Sequence, residues 1–82
     1  MACEIRFHHV VDLPRSNVRI ATARDQSNRI HIYLINNSAI YKRNGLKNSW
    51  EPLEDATQHS LRALLAGAQG VACYSTENSF VN

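Results

Sequence analysis

The chain has 82 residues, of which 44% are apolar and 20% are charged, and its net charge at pH 7 is +2. This length predicts one small domain over residues 1–82 with a single thin core. The composition excludes wholesale disorder, and no apolar run approaches the ~18 residues that a membrane-spanning helix needs. The charged start of the chain argues against a signal peptide, so we expect a cytoplasmic location and no membrane partner.

Alternation of apolar and polar residues predicts a sheet in the first half of the chain. Period two is typical of half-buried strands, and the segment Ile30 to Ile35, which is apolar on both faces, is typical of a central strand. Clusters of Asn, Asp, Ser and Pro separate the segments and predict antiparallel hairpins. The predicted strands are residues 3–11, 18–24, 30–35 and 39–43.

The hydrophobic period changes after residue 50. Between Glu51 and Ala68, apolar residues recur at intervals of three and four, which predicts an amphipathic helix. Pro52 suits its first turn, and Gly67 or Gly70 is expected to end it. Residues 71–74 predict a short last strand. The predicted fold is α+β: an antiparallel meander of three or four strands with one C-terminal helix packed on one face.

Two hairpin registers follow when the apolar side chains are placed in one layer. A loop at residues 26–28 pairs Ile20 with Leu34, and a loop at 36–38 pairs Leu34 with Ile40. The helix is expected to cover this layer. The predicted core is Ile5, Phe7, Val18, Ile20, Ile30, Ile32, Leu34, Ile40, Leu53, Leu61, Leu64 and Leu65.

The same registers predict the composition of the opposite face, which a single helix leaves uncovered. There Tyr33 pairs with Tyr41, and His31 pairs with Arg43. Tyrosines surrounded by arginines resemble the core and rim of a protein interface. We therefore predict a partner-binding site on the uncovered face, formed by Arg19, His31, Tyr33, Tyr41, Arg43 and Lys47.

Charge is distributed unevenly along the chain. Residues 15–47 carry seven basic side chains against Asp25 alone, a net charge of +6, while the rest of the chain carries −4. The plain explanation is a solvated basic sheet beside an acidic helix start. The functional alternative is a nucleic-acid-binding sheet, in which Tyr33, Tyr41 and His31 stack on bases and basic residues contact phosphates.

No residues have the spacing of a catalytic or metal site. The histidines and cysteines lack Cys-x-x-Cys and His-x-x-x-His spacings, so we expect no metal and no cofactor. Neither an activated nucleophile nor a phosphate-binding glycine loop is recognisable, so we expect no enzyme and no small-molecule substrate. Cys3 and Cys73 are expected to be free, with a disulfide as the alternative if the first and last strands are neighbours.

These expectations define the function that the sequence predicts. The chain is a small non-enzymatic protein-binding module, a regulator or inhibitor such as mobile genetic elements encode. It acts by occupying a partner protein's surface through its uncovered sheet face. A homodimer is the other protein complex that this face allows, and nucleic-acid binding through residues 15–47 is the alternative function.

Overall fold

The computed structural model describes residues 3–66 and 71–75, which form one antiparallel sheet of six strands and one helix. Strands β1 to β5 form a meander, and β6 pairs with the free side of β1, giving the order β5-β4-β3-β2-β1-β6. The α+β class, the meander and the C-terminal helix followed by a short strand are confirmed. The elements are β1 (Ile5–Asp12), β2 (Arg19–Asp25), β3 (Ile30–Ile35), β4 (Ile40–Asn44), β5 (Ser49–Pro52), α1 (Asp55–Leu65) and β6 (Ala72–Tyr74).

Helix α1 begins later than the sequence predicts. Residues 49–52 pair with β4 as an edge strand, with Pro52 opposite Tyr41, and an edge strand tolerates a residue that has no N–H. The chain is still extended at Glu54, the N-cap residue.

Across residues 3–66 and 71–75, no helix is long and apolar enough to cross a membrane. The predicted stop at Gly67 or Gly70 lies outside the described residues.

The β2–β3 hairpin has the predicted register, with Ile20 opposite Leu34. The Asp25 carboxylate holds its loop by accepting hydrogen bonds from the backbone N–H groups of Ser27 and Arg29, at 2.9 and 3.0 Å. Asn28 adopts a left-handed conformation with φ of 65°, which asparagine tolerates better than most residues.

The predicted β3–β4 register is wrong by one residue. Tyr41 lies opposite Leu34, and Lys42 lies opposite Tyr33. The cause is the loop, which has four residues rather than three. The Asn36 side chain accepts hydrogen bonds from two backbone N–H groups of this loop, those of Ser38 and Ala39, both at 2.8 Å. One extra residue moves Tyr41 to the opposite face from Tyr33.

The helix covers the face of β2 and β3 that the sequence analysis left open. Both faces of these strands are apolar, so alternation determines the register but not the face that is buried. Alanines at the centre of the sheet leave room for two leucines of α1. The predicted core positions Ile20, Ile30, Ile32 and Leu34 lie on the other face, and Val18 is half-buried at the sheet edge. The observed core is Phe7, Ala21, Ala23, Tyr33, Ile35, Ile40, Leu61 and Leu65.

The two cysteines form a disulfide, so the expectation of free thiols is wrong. Strand β6 pairs with β1, and Cys73 lies opposite Arg6. This pairing brings the Cα atoms of Cys3 and Cys73 to 5.6 Å, a normal separation for a disulfide. The bond therefore ties the last described strand to the start of the chain.

Candidate protein-binding face

The sheet face that points away from α1 is called the open face below. Strand pairing determines which side chains it carries, because alternate residues of each strand point to the same side. Its strand positions are Arg6, His9, Val11, Ile20, Thr22, Arg24, Ile30, Ile32, Leu34, Tyr41, Arg43, Trp50, Pro52 and Cys73.

The centre of the open face is apolar and accessible. One row of directly paired residues crosses five strands: Val11, Ile20, Leu34, Tyr41 and Pro52. In this row Val11 is 52% exposed, and beside it Ile32 is 37% exposed and Trp50 is 40% exposed. Contiguous apolar patches larger than a few hundred Å² are uncommon on monomers and mark interaction surfaces. This row is therefore the strongest indication of a binding site in the described chain.

The basic groups of the open face lie in two places on one side of the apolar row. On β4, the Arg43 guanidinium lies over the ring of Trp50, 5.6 Å from its centroid, and it donates a hydrogen bond to the Asn48 side chain. Farther from the row, on β1 and β2, Arg6 lies directly opposite Arg24. None of the strand positions of the open face carries a carboxylate, so its charge is uniformly positive.

A β-bulge shapes the end that carries Arg6 and Arg24. The register of β1 against β2 shifts between Phe7 and His9, which leaves His8 as the extra residue. Bulges re-aim side chains, and here both histidines line a shallow depression of the open face together with Arg24. Regular alternation would have separated the two imidazoles, so the sequence pattern did not predict this cluster.

Of the six residues predicted to bind a partner, two lie on the open face: Tyr41 and Arg43. Lys47 lies in the β4–β5 loop, with its Nζ 3.8 Å from a carboxylate oxygen of Glu51. The other three, Arg19, His31 and Tyr33, lie on the covered face, so their predicted placement on the uncovered face is wrong.

Tyr33 is a core residue rather than a contact residue. It is 5% exposed, and its ring centroid lies 5.4 Å from that of Phe7 and 6.5 Å from that of His31. Burial, with a smaller contribution from the negative charges of Tyr74 and Asp25, raises the pKa of Tyr33 to about 12. The phenol therefore stays neutral at physiological pH.

His31 and Arg19 also have structural partners. The His31 Nε2 lies 2.9 Å from a carboxylate oxygen of Asp25, and this hydrogen bond is the main reason that the pKa of Asp25 is lowered. Arg19 pairs with Asp12 at 2.8 Å and donates to the backbone oxygen of Leu65 at 3.0 Å. A cation at the last turn of a helix satisfies its terminal carbonyls and its dipole.

The open face contains residues that sequence reasoning assigned to the core, above all Ile20, Ile30, Ile32 and Leu34. The signal against that assignment was the pair of small residues Ala21 and Ala23 on the other face of β2, where Leu61 and Leu65 of the helix pack. Within residues 3–66 and 71–75, no group of three or more His, Cys, Asp or Glu side chains is placed to hold a metal ion.

Comparison with known proteins gives no relative: no protein-family model, curated protein or solved structure matches the chain. Function is therefore inferred from the geometry of the open face.

Proposed function

We propose that the protein is a non-enzymatic protein-binding module that regulates or inhibits a partner by occupying its surface with the open face. The observation that carries this proposal is the apolar row across five strands, with exposed side chains such as Ile32 and Trp50 beside it. A flat apolar centre with charged groups around it matches the core and rim of protein interfaces.

The residue types at the centre favour a protein over a nucleic acid. Bases bind to open sheets mainly by stacking on aromatic rings, whereas Ile20, Ile32 and Leu34 are aliphatic. Of the residues expected to stack on bases, Tyr33 and His31 lie on the covered face. Aliphatic side chains instead gain free energy by packing against other apolar side chains.

The size of the face also suits a protein partner. The six strands contain 33 residues in all; at about 3.3 Å per residue and about 4.8 Å between strands, they present roughly 500 Å² in projection. A standard interface buries about 800 Å² of accessible surface per partner, and accessible surface exceeds projected area because side chains protrude.

The edges of the sheet are poor alternatives to its face. The edge strands β5 and β6 have four and three residues, and Pro52 has no N–H to donate to an added strand. Short edges and proline both disfavour pairing with another chain. Side chains of the open face, rather than backbone groups, are therefore proposed to provide the binding energy.

A different protein suits the open face better than a second copy does. Face-to-face association of two copies would bring together two surfaces whose charged strand positions are all basic, such as Arg6, Arg24 and Arg43. Like charges across an interface oppose association. Sedimentation at high protein concentration tests this point: we expect a monomer, and a dimer lost in Ile30→Asp would favour self-association instead.

Photo-cross-linking tests the proposed face. Benzoylphenylalanine replaces Trp50, an aromatic ring for an aromatic ring, in a biotin-labelled protein incubated with extract of the source cells. The control carries the same group at Ala63, which is exposed on α1. We expect a discrete protein adduct from position 50 and none from position 63.

Competition determines whether the adduct reports binding by the open face. Excess unlabelled wild-type protein should abolish it, whereas Ile32→Asp should not, because a charge at this exposed position disrupts the apolar centre. Equal competition by Ile32→Asp, or equal adducts from position 63, would refute the proposal. An adduct that disappears with nuclease would replace it with the nucleic-acid alternative.

The cytoplasmic location stays a proposal, and the disulfide provides its test. Disulfides persist in oxidising compartments and are rare in the cytosol. Alkylation of the protein directly in its source cells should label Cys3 and Cys73 if the location is cytoplasmic. A fully oxidised pair in the cells would place the protein in an oxidising compartment.

A further inference from the structure

We infer that the partner is an acidic protein surface, whose carboxylates are bound at the end of the open face formed by Arg6, Arg24 and the two histidines of the bulge. This inference rests on the proposed function and specifies the chemistry of the partner. It depends on how charge and hydrogen-bond donors are arranged on β1 and β2.

The Arg6–Arg24 pair is unfavourable in the isolated protein. The two residues lie directly opposite each other on neighbouring strands, where side chains approach within ~5 Å and like charges are destabilising. Both residues are exposed, and neither forms an ion pair within the described part of the chain. One nitrogen of Arg24, Nη1, donates to the backbone oxygen of Asn28 at 3.1 Å. A bound carboxylate would relieve the repulsion by accepting hydrogen bonds from Arg6 and from the remaining N–H groups of Arg24.

The depression beside this pair offers further donors and no acidic group. It is lined by His8, His9, Thr22, Arg24 and Ile30. The Nε2 atom of His8 is buried and has no hydrogen-bond partner among the described residues. Buried polar atoms are normally paired. In the tautomer that carries its proton on Nε2, this atom is a donor that a carboxylate of the partner would satisfy, because ionised aspartate and glutamate side chains only accept hydrogen bonds.

The spacing of the basic groups favours carboxylates on a protein over the phosphates of a nucleic acid. A nucleic-acid strand is bound along a continuous basic track. On the open face, Arg43 on β4 and the arginines on β1 and β2 are separated by the aliphatic residues of β3, Ile30 and Ile32. The complementary surface is an apolar protrusion with acidic side chains beside it.

The test compares two charge reversals in the position-50 cross-linking assay. Arg6→Glu changes the pair on the open face, and Arg15→Glu makes the same charge change in the exposed β1–β2 turn. As unlabelled competitors, Arg15→Glu should match wild type, whereas Arg6→Glu should need about tenfold more protein or greater. Circular dichroism and melting curves verify that both variants are folded.

Failure of this inference is distinguishable from failure of the proposed function. If Arg6→Glu competes like wild type while Ile32→Asp does not, the open face binds a partner but the acidic chemistry is wrong. If Ile32→Asp also competes like wild type, the proposed function itself fails.

A second measurement locates the contact on the partner. Benzoylphenylalanine at His9 places the reactive group in the depression, and mass spectrometry identifies the partner peptide to which it is joined. We expect peptides rich in Asp and Glu. Adducts in basic or uncharged peptides would contradict the inference, and adducts with nucleotides would favour the nucleic-acid alternative.

Discussion

The two faces of the sheet are built from the same strands and both carry apolar side chains, yet only one is the core. On β2 and β3, the covered face carries Ala21 and Tyr33, whereas the open face carries Ile20 and Leu34. The polar groups differ more clearly. On the covered face Arg19 forms an ion pair with Asp12, whereas the basic residues of the open face have no acidic partner among its strand positions. Unpaired charge distinguishes the two faces better than hydrophobicity does.

Truncating one aromatic residue of the covered face should have the largest effect. Phe7 is fully buried and Val11, on the same strand, is 52% exposed. Phe7→Ala should lower the free energy of unfolding by ~3–5 kcal/mol, because it leaves a cavity in the core. Val11→Ala is the matched control and should cost less than ~1 kcal/mol. Urea unfolding measures both, and similar losses would mean that the faces are not distinguished by burial.

Two isoleucines of β3 allow the burial of the two faces to be compared with the same side chain. Ile35 is 6% exposed on the covered face, and Ile32 is 37% exposed on the open face. Ile35→Ala should cost ~2–4 kcal/mol. Ile32→Ala should cost about 1 kcal/mol, because the side chain already contacts solvent. A larger loss for Ile32→Ala would restore the face assignment that the sequence predicts.

The buried phenol of the covered face predicts a loss of stability at alkaline pH. The pKa of Tyr33 is raised from 10.0 to about 12 in the folded state, so the unfolded state loses the proton first. The stabilisation is complete below pH 10 and is lost as the pH rises toward 12, by roughly 2 kcal/mol. Urea unfolding across this range should show a steeper decline for wild type than for Tyr33→Phe. Parallel declines would contradict the burial of this residue.

The smallest expected effect concerns the carboxylate at the end of the covered face. The pKa of Asp25 is lowered, chiefly by the hydrogen bond to His31 and then by the N–H of Arg29. Its stabilisation is therefore present above pH 3.8 and is lost as the pH falls through the lowered pKa. Melting temperatures of wild type and Asp25→Asn should converge as the pH decreases below 4. A constant difference would mean that the charge of Asp25 does not stabilise the hairpin.

Local sequence patterns were sufficient for every described strand except β5, for the helix apart from its first residues, and for one hairpin register. Period-two alternation and a loop with Asn28 in a left-handed conformation determine the β2–β3 pairing, and Leu61 and Leu65 follow the helical period into the core. These features depend on neighbouring residues, which the sequence shows directly.

The choice of the binding face depended on interactions that local patterns do not show. The Asn36 side chain lengthens the β3–β4 loop by one residue, which moves Tyr41 away from Tyr33. The helix packs on the face that carries the small residues Ala21 and Ala23. The sequence analysis instead placed it on the face that carries the larger apolar residues. The candidate site is therefore apolar with arginines around it, as the sequence predicts, but most of its residues differ from the predicted ones.

The disulfide between Cys3 and Cys73 closes 71 residues into a covalent ring that contains β1 to β5 and α1. A ring must be cut twice before a piece can leave. A protease that cuts once, in the exposed turn at residues 13–17, would yield a nicked molecule that migrates as one species until it is reduced. While the sheet stays paired, such a nicked copy would keep the whole open face, so proteolysis in an oxidising environment need not end its activity.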